Sequence, residues 1–247
     1  MKKIRVAVDI DEVLRAKWVQ FDRYYAQEFG EEGIPEQPYV FDYFENYEFL
    51  PVNRVVNVLN EPEDCPDISA IDYVADENGV APADMFLFTK EKEVLTAKEV
   101  FNRFMYEDFC FEIFGTAPLM YRGLDFHFNQ FHKKFNDRIE LVVVSKENVH
   151  SIPSTFSFLS KMLCRASNVK FVEESKDKWK DVDVLITSDP CILNSSKPAF
   201  KKLIKIIRPF NVDIKTKGIE VMQLFDLVDN TEFHKMIGFS EKYFKEV

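Results

Sequence analysis

Glycine is scarce in this chain, 7 of 247 residues. Neither the G-x-G-x-x-G turn of dinucleotide-binding folds nor the G-x-x-x-x-G-K-[ST] loop of nucleotide hydrolases occurs, so a Gly-rich phosphate cradle is excluded. Cysteine is limited to Cys65, Cys110, Cys164 and Cys191, with no C-x-x-C pair. Zinc-site spacing is therefore missing, a disulfide framework is not expected at this length, and a reduced, cytoplasmic environment fits. No apolar run approaches the roughly 20 residues that span a bilayer, so no membrane partner is expected. The N-terminus starts basic, as signal peptides do, but Asp9 and Asp11 interrupt its apolar run too early. Positive charge is also in deficit, with a net charge of −10. That argues against a mainly electrostatic nucleic-acid binder while leaving room for a local basic patch. The run Lys201, Lys202, Lys205, Arg208 reads as a solvated helix or strand edge. Internal repeats and low-complexity segments are absent.

What the chain does have is an ordinary globular balance, 46% hydrophobic and 30% charged, with an aromatic bias of 25 phenylalanines. Its most informative stretch is Val6-Ala7-Val8-Asp9-Ile10-Asp11-Glu12-Val13-Leu14, a short apolar strand ending in two carboxylates spaced i, i+2. In a strand that spacing points both side chains to one side. The C-terminal end of a strand is where open α/β sheets bind ligands. Two carboxylates there can share a divalent cation, or one can attack while the other moves protons. A plainer reading makes Asp11 the N-cap and Glu12 the first turn of a following helix. Both readings are open on these nine residues.

Trp18, Phe21, Tyr25 and Phe29 recur at helical spacing, which predicts a helix from about Glu12 to Gly30. Residues 31–92 carry Pro35, Pro38, Pro51, Pro62, Pro66 and Pro82, which predicts loops and short helices rather than a regular sheet. Thr96 and Glu99 form a T-x-x-E capping box and Gly115 stands at a C-cap position, so a long helix is expected over 96–114. A second helix is expected over 123–135, its Leu124, Phe128 and Phe131 packing a core; His127 and His132 have no ligand spacing. From residue 138 the pattern becomes α/β. Strands are expected at 138–145, 168–172, 183–187 and 202–207, followed by a mostly helical stretch over 219–244. With the first strand this makes a five-stranded parallel sheet, an α/β Rossmann-like core of residues 1–30 and 136–247. Residues 31–135 are then an insertion, expected to be a mainly helical cap.

Chemistry-bearing residues fall at strand ends: Asp9 and Asp11 after the first, Ser145 after the second, Thr187, Ser188 and Asp189 after 183–187, with Lys176 and Lys178 just before it. This order resembles the haloacid dehalogenase (HAD) superfamily, mostly phosphohydrolases. D-x-D-x-V is matched by Asp9–Val13, the strand ending in serine by Leu141–Ser145, the lysine by Lys178 or Lys176, and the acidic strand end by Asp189. The wording DIDEVL is similar to the 5′(3′)-deoxyribonucleotidase-like branch. The resemblance covers 4–30 and 138–210, and the insertion lies where that superfamily places a C1-type cap.

The resemblance implies that Asp9 is the nucleophile, Asp11 the general acid and base, Ser145 a phosphoryl ligand and Lys178 a charge neutraliser. It also implies a Mg²⁺ ion held by Asp9, the main-chain carbonyl of Asp11, Asp189 and the phosphate of a small phosphorylated substrate, with a nucleoside monophosphate as one class. The register of the fourth motif is open: if the strand ends at Ile186, the expected acidic positions hold Thr187 and Ser188, and Asp189 lies one residue late. A hydroxyl is a poorer Mg²⁺ ligand than a carboxylate. The alternative is therefore a catalytically impaired HAD-like fold used for binding or assembly with protein partners. Divergent proteins of this kind are common in viral genomes, so a phage origin and a virion-associated location also fit.

Overall fold

The computed structural model describes residues 2–35, 43–59 and 88–239. Cys65 and the end of the expected C-terminal helix, residues 240–244, lie outside the described residues. In chain order the elements are β1 (Ile4–Asp9), α1 (Lys17–Phe29), α2 (Tyr43–Asn46), β2 (Val52–Leu59), β3 (Phe88–Leu95), α3 (Ala97–Arg103), α4 (Leu124–Phe135), β4 (Ile139–Lys146), α5 (Ile152–Lys161), β5 (Asn168–Val172), β6 (Val184–Thr187), α6 (Pro190–Leu193), β7 (Lys202–Ile206), β8 (Ile219–Val221) and α7 (Thr231–Met236).

The main sheet is parallel throughout, in the order β5-β4-β1-β6-β7-β8. β1 lies in the middle, paired with β4 on one side and β6 on the other, as convergence of the strand ends requires. The sheet has six strands where five are expected. The extra one, β8, falls in the stretch read as helical. It is three residues long and pairs Ile204↔Ile219 and Ile206↔Val221, too short for its alternation to register as a period.

Alternating strand residues feed two apolar layers, which is why the sheet is covered on both faces. Val6, Val8, Leu141, Val143, Ile186 and Ile204 pack with Leu124, Phe128, Phe131 and Phe135 of α4 and Phe233 of α7. Ala7, Val142, Val144, Leu185 and Leu203 pack on the other side with Trp179, Ile192 and Leu193. The helix predicted at 123–135 is thus part of the main core.

Several local expectations change. α1 begins at Lys17, not Glu12; residues 10–16 form a tight turn in which Glu12 takes φ 57° and Glu12 N–H bonds Arg15 O at 2.8 Å. Asp11 is therefore not a helix cap. The 96–114 helix starts at its capping box, with Thr96 N–H and Glu99 Oε2 2.8 Å apart, but only α3 is α-helical. It continues as two π turns, Phe104–Asp108 and Phe111–Gly115, interrupted at Phe109. β2 and β3 form an antiparallel ribbon with Val52 opposite Leu95 and Leu59 opposite Phe88, where loops and short helices are expected. No proline falls inside either strand; the rest of that expectation, over 36–42 and 60–87, lies outside the described residues. The run Lys201–Arg208 is a solvated edge only at Lys202, which is exposed. Lys205 is buried with its ammonium 2.5 Å from Ile214 O, Arg208 Nε donates to Glu12 O at 2.7 Å, and Lys201 donates to Trp179 O.

The chain divides into two compact units, residues 1–48 with 102–247, and residues 49–101. The second is narrower than the insertion drawn at 31–135. Among the described residues no helix is long and apolar enough to cross a membrane.

Candidate functional site at the strand ends

Two linked clusters of buried charge stand at the C-terminal edge of the parallel sheet. The first centres on Asp9, the last residue of β1, which is 1% exposed. Its Oδ2 accepts from Lys178 Nζ at 2.6 Å and from Thr187 Oγ1 at 2.6 Å; its Oδ1 accepts from the Ile10 amide at 3.0 Å. Pairing in the order β4-β1-β6 sets Val8 beside Ile186, so the next side chain of each strand meets the other. Lys178 comes from a 3₁₀ turn, Ser175–Trp179, and its ammonium also lies 2.9 Å from Asp189 Oδ2. Asp189 accepts from Ser175 Oγ at 2.8 Å and caps α6 through the Cys191 amide at 2.9 Å. Lys178, not Lys176, reaches the site; Lys176 pairs at the surface with Glu174, 2.5 Å away.

The second cluster centres on Arg15, which is fully buried. Its Nε and Nη2 donate to Asp11 Oδ1 at 2.8 and 2.5 Å, and Nη2 also meets Glu147 Oε1 at 2.7 Å. Its Nη1 donates to Phe114 O at 3.0 Å and Thr155 Oγ1 at 2.7 Å. Lys17 Nζ donates to the other carboxyl oxygen of Asp11. Ser145 Oγ donates to Glu147 Oε1 at 3.0 Å, Thr155 Oγ1 to the same oxygen at 2.9 Å, and Ser151 Oγ to Glu147 Oε2. Ser188 Oγ donates to Asp11 O at 3.3 Å. The structure thus brings Asp9, Lys178, Thr187 and Asp189 together and ties Ser145 to Asp11 through Glu147 and Arg15.

Electrostatics follow from these contacts. Burial pushes the Asp9 carboxyl above its ordinary range, against the pull of Lys178. Burial also disfavours an ionised Asp11, but Arg15 and Lys17 outweigh it and hold that carboxyl at about 2. Asp189 is likewise depressed, because Lys178 and its hydrogen bonds outweigh burial. Glu12, buried beside them and bonded by the Trp18 amide at 3.1 Å, is pushed up to about 7 by desolvation.

In this arrangement the acids of the expected Mg²⁺ set face internal cations. A magnesium site needs carboxylate oxygens turned toward a shared point. Here Asp9 Oδ2 and Asp189 Oδ2 turn to the Lys178 ammonium, and the main-chain carbonyl of Asp11, the oxygen expected on the metal, accepts from Ser188 Oγ at 3.3 Å. Among the described residues no three His, Cys, Asp or Glu side chains form a group that could hold a metal ion.

Arg15, Lys17, Thr155 and Ser175 were not legible as site residues. The available signal is a basic residue four positions after a strand-end aspartate and an acid two after Ser145. No family model matches the chain, and no curated protein matches it.

Proposed function

We propose that this chain is a HAD-like protein whose strand-end acids form an ion-paired framework, and that it works by binding a partner rather than by hydrolysing a phosphate ester. The observation that carries this reading is the double pairing of Asp11. A general acid must hold a proton near neutral pH and release it in the transition state. Asp11 has both carboxyl oxygens engaged by Arg15 and Lys17, which hold it well below the usual carboxylate range. Ser188 directly after β6, in place of an acid, and the commitment of Asp189 to Lys178 support the same reading.

A second reading has an observation of its own. Lys178 Nζ at 2.6 Å from Asp9 is the contact that a Mg²⁺-dependent phosphohydrolase of this superfamily would use to neutralise charge at its nucleophile, with a nucleoside monophosphate as substrate. The two separate in one assay: turnover of p-nitrophenyl phosphate and a nucleoside monophosphate panel with Mg²⁺, wild type against Asp9→Asn. The binding reading expects equal, background rates. Turnover in the wild type that vanishes in Asp9→Asn would overturn it in favour of the hydrolase.

A further inference from the structure

At the opposite edge of the sheet, where β7 and β8 begin, lies a cavity of about 430 Å³. Its rim carries Lys197, Lys202, Lys215 and Lys217 against a single acid, Glu232. In a chain of net charge −10 this is a local reversal of sign. Among the described residues, Lys202, Lys215 and Lys217 make no ion pair, and Lys197 donates only to Lys201 O. Glu220, next to the rim on β8, is already bonded to Thr216 Oγ1 at 2.9 Å and faces Lys205 at 3.6 Å. The floor is apolar, made by Leu193, Leu203 and Ile219, all nearly buried.

The cavity has a backbone cause. A Cβ on Gly218 would lie 2.2 Å from Leu203 O, so only glycine lets the Lys215–Lys217 segment close against the start of β7 that carries Lys202. Four lysines line one cavity from three separate chain segments, and like charges gathered there repel one another until an anion joins them.

We propose that this cavity binds a small organic or inorganic polyphosphate, its phosphate oxygens met by the four ammonium groups and any apolar portion resting on Leu203 and Ile219. The volume is that of a small-ligand pocket, and the site is concave rather than a stripe. A long nucleic acid would meet the repulsion of the remaining negative surface, so the observations favour the small ligand. The site shares no residue with the strand-end cluster and does not depend on the reading given there.

Calorimetry on the intact protein tests it with three probes: inorganic tripolyphosphate, ATP, and a single-stranded oligonucleotide too long for the cavity. Lys215→Gln/Lys217→Gln removes two exposed amines without touching the core, and Lys133→Gln, an exposed lysine on α4, controls for general charge. Tripolyphosphate or ATP should bind the wild type and Lys133→Gln alike, weaken with salt, and lose at least about tenfold in the double variant with an unchanged melting temperature. ATP binding more tightly than tripolyphosphate would add that the apolar floor is used; equal affinity would assign the site to phosphate alone. No binding of either small probe at about 1 mM, equal binding by the double variant, or preference for the oligonucleotide would overturn the proposal.

Discussion

Arg15 shows most about the strand-end cluster at the scale of single residues. It stands between Asp11 and Glu147 with no exposure, its five donors directed at carboxylates, a hydroxyl and a main-chain carbonyl. Removing it leaves two buried carboxylates with lost partners. Arg15→Met should therefore destabilise the protein by about 3–5 kcal/mol, read as a lower urea midpoint with unchanged slope, and adding Glu147→Gln should recover part of that loss. Full stability in Arg15→Met would mean that the network contributes nothing. Glu12 behaves differently. Its carboxyl is raised by burial from 4.5 to about 7, so the folded state holds a proton that the unfolded chain releases. Stability should fall as pH rises from 4.5 to about 7, and Glu12→Gln should flatten that slope, leaving the part that Asp9 contributes. Of these residues, Asp9, Asp11 and Ser145 were readable because they end apolar runs. Arg15 was not, because an arginine four residues after an aspartate looks the same whether it faces solvent or a core.

Secondary structure elements were legible in proportion to their length and the regularity of their environment. β1, β4, β6 and β7 announce themselves as apolar runs because strands buried on both faces need apolar side chains at nearly every position. α4 announces itself by Leu124, Phe128, Phe131 and Phe135, one stripe at helical spacing, all 0% exposed. Phe131→Ala should cost about 3–5 kcal/mol, a large drop in melting temperature, because the ring packs against Phe135 and Phe233 and nothing nearby can fill its space. A cost under about 1 kcal/mol would mean that the layer can collapse around the gap. The β2–β3 ribbon is not legible, because the frequent prolines of 31–92 predict breaks across the whole stretch although neither strand contains one. The two π turns after α3 have no local sequence sign; their hydrogen bonds skip one residue further than an α-helix, and that choice is made by packing.

At the scale of the whole molecule, pH should expose the ion-pair framework. Asp11 falls from 3.8 to about 2 on folding, and Asp189 is also depressed. The stability these carboxylates contribute is present above pH 3.8 and is lost as pH drops toward about 2, when the native state must take up the same protons as the unfolded chain. Acid unfolding followed by circular dichroism should therefore steepen below about pH 4 in the wild type and begin earlier in Asp11→Asn, which already lacks its charge. An acid profile identical in both would mean that the pairing of Asp11 carries no net stabilisation. Charge is also unevenly placed over the molecule: the acidic strand ends are neutralised internally by Arg15, Lys17 and Lys178, while the lysines at the other sheet edge stay unpaired among the described residues.

By itself the sequence determined the fold class and the position of β1. Alternation between apolar strands and helices, with carboxylates at the first strand's end, leaves a parallel sheet as the arrangement that buries both faces. It also named Asp9, Asp11, Ser145, Asp189 and one of Lys176 and Lys178 as residues of one sheet edge. Only the tertiary structure decided what those residues face. Whether a carboxylate turns toward a ligand or an internal cation depends on side chains distant in sequence, such as Arg15 with Glu147 and Lys178 with Asp9. The same holds for the basic cavity, where lysines at the start of β7 and before β8 meet because Gly218 lets two backbones approach. Local pattern encodes which face of an element is apolar; the partner of a buried charge is set by the topology that brings distant elements together.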